Sequence, residues 1–101
     1  MHLIQILLPL YDNSHKPLPQ SLYAELTAEL TEKFGGVTAY TRAPAEGHWE
    51  QSGKDVRDEI AIFEVMIDQL DEEMWHAFRN ALAARFKQGE IIIRALPMQL
   101  L

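Results

Sequence analysis

The sequence predicts an α+β domain with the element order β-α-β-β-α-β, and three observations carry that prediction. Apolar residues recur at helical spacing in two stretches, 20 to 34 and 68 to 86. Four other stretches, starting near His2, Val37, Val56 and Glu90, are rich in β-branched, leucine or aromatic residues. Each helical stretch closes on glycine just before one of these strands. At 101 residues the chain has room for one domain, residues 1 to 101, whose core buries roughly two-thirds of the unfolded surface.

The elements follow in order. His2 to Leu10 is an apolar run of strand length, closed by Pro9 and the polar loop Tyr11 to Pro19. From Gln20 to Phe34, Leu22, Leu26, Leu30 and Phe34 recur every four residues, with Glu25, Glu29, Glu32 and Lys33 directed elsewhere. That is an amphipathic helix, and Gly35-Gly36 supplies the positive φ that ends its last turn. Val37 to Arg42 reads as a strand. Ala43 to Gly47 interrupts it, His48 to Glu50 resumes an extended course, and Gln51 to Lys54 turns the chain. Val56 to Ile67 is a long strand, and Asp68 to Glu73 opens a second helix with acids at its positive end. Trp75, Phe78, Leu82 and Phe86 form that helix's stripe, Gly89 stops it, and Glu90 to Leu96 is the last strand before Pro97.

This order is the signature of the ferredoxin-like split βαβ fold. Right-handed crossovers then give a four-stranded antiparallel sheet in spatial order 4-1-3-2, with both helices on one face. The junctions after Phe34 and after Phe86 echo one another, which fits two related halves as well as it fits any two helix-to-strand joints.

Composition removes several function classes. With no cysteine there is no disulfide, thiolate metal site or thiol nucleophile. The net charge of -6 comes with scattered basic residues, so nucleic acid is not an expected partner. The apolar start lacks a basic n-region and a small-residue cleavage site, and no run of about 18 apolar residues occurs. No membrane partner is expected, and a cytoplasmic location is.

A sheet with helices on one side should alternate between apolar and polar residues. Here Ala61, Phe63, Val65 and Ile67 fall on one face and Ile60, Ile62, Glu64 and Met66 on the other, both mainly apolar. The first strand behaves alike, with His2, Ile4, Ile6 and Leu8 opposed to Leu3, Gln5 and Leu7. A monomer rarely exposes so large a patch. The expected cover is the sheet of a second copy, giving a homodimer; the alternative is that residues 98 to 101 fold back over the face.

The segment Phe34 to Trp49, FGGVTAYTRAPAEGHW, with Leu8 to Asn13, resembles a group of small, uncharacterised bacterial proteins. That group is similar in topology to the dimeric α+β barrel superfamily, which includes cofactor-independent monooxygenases, isomerases and stress-responsive proteins. The resemblance implies a dimer and no cofactor, and it brings no assigned catalytic residues.

Two places are candidates for chemistry. The loop after the first strand (Asp12, Asn13, His15) and the hairpin between the second and third strands (Arg42, His48, Trp49, Arg57, Asp58) leave the sheet at one end. There an imidazole beside a carboxylate serves as a general base, an arginine holds an anionic oxygen and the indole walls a ring. The plain structural reading is that loop ends are polar and Trp49 anchors the hairpin. The second place is the open face, where alternation groups Thr38, Tyr40 and Arg42 with Glu64. Glu64 then needs an arginine such as Arg42 or Arg94, or serves in acid-base work. His2, His15, His48 and His76 lack ligand spacing, so no metal is expected. Gly35-Gly36 lacks phosphate-loop spacing, and a trimer resembling the ferredoxin-like nitrogen-signalling proteins, with the long hairpin as recognition arm, would need Gly-rich and basic phosphate contacts that the sequence lacks. The chain therefore reads as a small-molecule binding or interaction protein, with a cofactor-independent monooxygenase or isomerase acting on a small compound, such as an aromatic one, as the alternative.

Overall fold

A computed structural model describes the backbone of residues 1–51 and 54–101, and their side chains except at 42–45, 49–51 and 54–58. The elements are β1 (His2–Pro9), α1 (Gln20–Phe34), β2 (Thr38–Gln51), β3 (Lys54–Ile67), α2 (Glu72–Arg85) and β4 (Ile92–Pro97). The sheet runs β2-β3-β1-β4, antiparallel throughout. This is the expected 4-1-3-2 order, read from the other edge, and the fold is ferredoxin-like.

Alternation along the two central strands decides which side chains meet the helices. Ile4 pairs with Val65, Ile6 with Phe63 and Leu8 with Ala61, and all six are buried. Against them pack Tyr23, Leu26 and Leu30 of α1 and Trp75, Phe78 and Leu82 of α2, with Phe86 just beyond its end. Both helices therefore cover the same sheet face. Aromatic rings carry much of this contact: Trp75 stacks on Phe34 at 5.2 Å and meets Phe78 edge-on at 5.6 Å. Outside the core, Arg85 donates to Glu29 at 2.8 Å and Lys33 lies over the Phe78 ring, so each polar face also ties the helices together.

Several element boundaries depart from the sequence reading. The second helix begins at Glu72, not at Asp68, because the Asp71 carboxylate accepts the Met74 amide and acts as N-cap. It ends at Arg85 with Phe86 as C-cap; Lys87, just beyond, takes φ 53 and the Gln88 amide returns to the Ala83 carbonyl, so Gly89 is not the stop. The first helix does end on glycine as expected, with Gly35 at φ 81. The interruption expected from Ala43 to Gly47 is a bulge inside a continuous strand: residues 41–44 stand opposite Ala61 alone, between the Tyr40–Ile62 and Ala45–Ile60 pairs. The last strand starts at Ile92 and includes Pro97, which an edge strand tolerates.

Candidate functional site

The other sheet face is built by the alternate residues of the same strands. Cross-strand pairing sets them in rows: Leu96, Leu3 and Met66; then Arg94, Gln5, Glu64 and Thr38; then Ile92, Leu7, Ile62 and Tyr40; then Pro9 and Ile60. Three rows are largely apolar and one is polar. Met66 and Ile92 are each 53% exposed, and Leu96 is exposed as well. The chain's own tail does not cover them. The Met98 amide returns to the Met1 carbonyl, and Leu100 and Leu101 remain exposed.

Glu64 sits half-buried in the polar row. Gln5 Nε2 donates to its Oε2 at 2.8 Å, and the Tyr40 hydroxyl donates to Oε1 at 3.2 Å. These neutral donors stand where an arginine was expected. Arg94 is in the same row with Gln5 between, and the side chain of Arg42 lies outside the described residues. The carboxylate charge acts back on Tyr40, whose phenol is pushed above its ordinary value, chiefly because a phenolate there would face Glu64. Gln5 was not singled out from the sequence. The signal was available, since it is the sole polar residue between Leu3 and Leu8, as Glu64 is between Ile60 and Ile67.

The open face ends in a cleft of about 490 Å³, floored by Leu7, Pro9, Ile60 and Ile92 and bordered by His48 and Glu90. It contains the histidine expected for this end of the sheet, and it is open on one side. His48 Nε2 lies 3.4 Å from Glu46 Oε2, so the carboxylate beside the imidazole is Glu46, two residues away on the same strand. Gly47 between them packs against the end of the Ile60 side chain: a Cβ there would lie 2.7 Å from Ile60 Cδ1, which would have to turn aside.

The first loop supplies less chemistry than its composition suggested. Asp12 Oδ1 accepts the Ser14 amide at 2.8 Å and the Lys16 amide at 2.9 Å. It closes its own loop, and the Lys16 amide leads in holding its carboxyl below the usual range. His15 is exposed, with φ 61. The side chains of Trp49, Arg57 and Asp58, with which these residues were expected to converge, lie outside the described residues. Among the described residues, no group of three or more His, Asp or Glu is placed to hold a metal ion, and no helix is long and apolar enough to cross a membrane.

No family model and no curated protein matches this chain. Solved structures do. The divalent cation tolerance protein CutA of Thermus thermophilus superposes with a TM-score of 0.63 at 15% identity, over 97% of this chain and 84% of that one. The periplasmic divalent cation tolerance protein CutA of Archaeoglobus fulgidus gives 0.62 at 18%, over 99% and 86%. A phage SAM lyase in complex with S-methyl-5'-thioadenosine gives 0.60 at 15%, over 94% and 79%. At these identities the likeness establishes the ferredoxin-like fold and leaves function to the residues themselves.

Proposed function

We propose that the chain works as a self-associating binding module, a homodimer in which a second copy covers the open sheet face and roofs the cleft beside His48. One observation carries this reading: the cleft floor and the exposed apolar face are one continuous surface, since Leu7 and Ile92 belong to both. Covering the face would therefore close the cleft. An apolar floor with an imidazole and carboxylates at its border suits a small, largely apolar molecule carrying one or two polar groups. The resemblance of residues 34 to 49 to small bacterial proteins of the dimeric α+β barrel type points the same way. The test is sedimentation velocity at micromolar concentration, paired with ligand-observed NMR using indole as probe. The wild type should sediment as a dimer and bind indole. Ile62→Lys, which places a charge in a dry interface, should be monomeric and lose the binding. A monomeric wild type overturns the reading.

A second reading is supported by the Glu46–His48 pair at the cleft mouth. It is a cofactor-independent proton-transfer enzyme of isomerase type, with His48 as base. Of the chemistries the resemblance implied, proton transfer is the one an imidazole beside a carboxylate serves directly. His48→Gln should leave indole binding intact while abolishing exchange of acidic C–H protons in a bound ketone, followed by NMR in D₂O. Equal exchange in variant and wild type removes this reading.

A further inference from the structure

The polar row contains two charges that no described residue neutralises. Glu64 is held by two neutral donors, and among the described residues neither Glu64 nor Arg94 has an ionic partner. They flank Gln5 in register, Arg94 on β4 and Glu64 on β3. With strands about 4.8 Å apart, their Cα atoms are about 10 Å from one another, and the Glu64 carboxylate is bonded to Gln5 and Tyr40 rather than to Arg94. Leaving a charge at the centre of an apolar face that will be covered is costly unless its partner arrives with the cover.

We infer that the partner is the same row of a second copy, with Arg94 of each protomer pairing with Glu64 of the other. This rests on the self-association proposed above and specifies its geometry. A two-fold axis running between the sheets, parallel to β1 and over Gln5, exchanges the two sides of the row while keeping position along the strand. Arg94 then faces the partner's Glu64 twice, and Gln5 faces Gln5. The same operation lays Leu96 over Met66 and Ile92 over Ile62, so apolar rows meet apolar rows. An axis turned by a right angle, along the polar row, instead sets Arg94 over Arg94 and Glu64 over Glu64. Charge complementarity therefore selects the first arrangement. Sheets stacked face to face about 10 Å apart bring an arginine and a glutamate side chain within pairing distance.

The two-fold geometry gives a test by mixing. Glu64→Arg and Arg94→Glu, each made singly, place like charges opposite one another in their own homodimers. Each dissociation constant should rise at least a hundredfold. Mixed in equal amounts, the two variants should recover a dimer within about tenfold of wild type, because one heterodimer contact is native and the other is the same pair reversed. Should Glu64→Arg fail to fold by circular dichroism, Arg94→Glu alone should lose the dimer and Glu64→Gln added to it should restore most of it. A wild-type dimer indifferent to either reversal, or a mixture that stays monomeric, overturns the pairing while leaving self-association standing. A trimeric mass overturns the two-fold geometry. A monomeric wild type instead removes the proposed function on which the pairing depends.

Discussion

The two faces of this sheet are drawn from the same strands and are nearly equal in apolar content, yet they are treated oppositely. On the helix side, Ile6, Leu8, Ala61 and Phe63 have no exposed surface. On the open side, Leu3, Leu7, Ile60 and Ile62 are half-buried and Met66, Ile92 and Leu96 are exposed. The polar groups differ as well. The helix face carries the Tyr23 hydroxyl, buried and donating to the Pro9 carbonyl; the open face carries a carboxylate whose hydrogen bonds leave its charge uncompensated. The first face is finished within the chain. The second has the composition of an interior and the exposure of a surface, the contrast on which the proposed self-association rests.

The largest expected effect separates the faces by stability. Phe63→Ala empties the centre of the finished face and should cost about 3–5 kcal/mol in urea denaturation. Met66→Ala, three residues along the same strand and on the opposite face, should cost under about 1 kcal/mol at concentrations where the chain is monomeric, because over half of its surface already meets water. Equal losses at the two positions would mean that the open face is packed within the monomer.

Alkaline pH should act next, and through the finished face. Burial pushes the Tyr23 phenol up to about 12. Because the folded value lies above the unfolded value of about 10, the unfolded chain loses this proton first, and the stabilisation present below pH 10 is lost as pH rises toward 12. The loss should approach about 2–3 kcal/mol. Tyr23→Phe should flatten that slope while costing about 1 kcal/mol at neutral pH for the hydrogen bond to Pro9. An unchanged slope in the variant would assign the alkaline loss to another group.

A smaller effect tests a boundary that composition alone misplaced. Asp71→Ala removes the acceptor of the Met74 amide and should cost about 1 kcal/mol in thermal or urea unfolding. Asp68→Ala, at the start expected from the sequence, should cost nothing measurable. Asp68 and Asp71 both precede the helix and both satisfy a macrodipole argument, but only one can occupy the cap, and the side-chain hydrogen bond that picks it out is a matter of local geometry that composition does not show.

That pattern holds more widely. Helix α1 was legible to the residue, because a four-residue leucine repeat and a glycine stop are both local signals. The sheet order followed from chain order and crossover handedness. The bulge opposite Ala61 was seen only as a break in composition, since Pro44 shows that pairing is disturbed without showing that it resumes in a shifted register. For the site, period-two alternation correctly put Tyr40 and Glu64 on one face. It could not supply their hydrogen bond, nor choose Gln5 over an arginine, because cross-strand partners depend on a register fixed by residues far apart in sequence. Asp12 shows the opposite failure: a carboxylate in a polar loop reads as chemistry until its own loop amides are seen to occupy it.

The smallest effect, and the sharpest for the comparison, concerns the two tyrosines. Both phenols are raised, but Tyr23 by burial and Tyr40 chiefly by the charge of Glu64. Charge acting across an exposed surface is screened by salt, whereas desolvation is not. Followed by NMR of the tyrosine ring carbons, Tyr40 should titrate closer to its ordinary value in molar salt, while Tyr23 should stay where it is. Glu64→Gln should lower Tyr40 in the same direction at low salt, since removing the charge removes the penalty on the phenolate while an amide oxygen can still accept the hydroxyl. Its cost to monomer stability should be under about 1 kcal/mol, as no cation among the described residues is stranded. A Tyr40 value that ignores both salt and Glu64→Gln would show that its phenol is raised by burial, as Tyr23 is. The open face would then be covered more completely within one chain than its exposed side chains indicate, and the contrast between the two faces would fail at its most sensitive point.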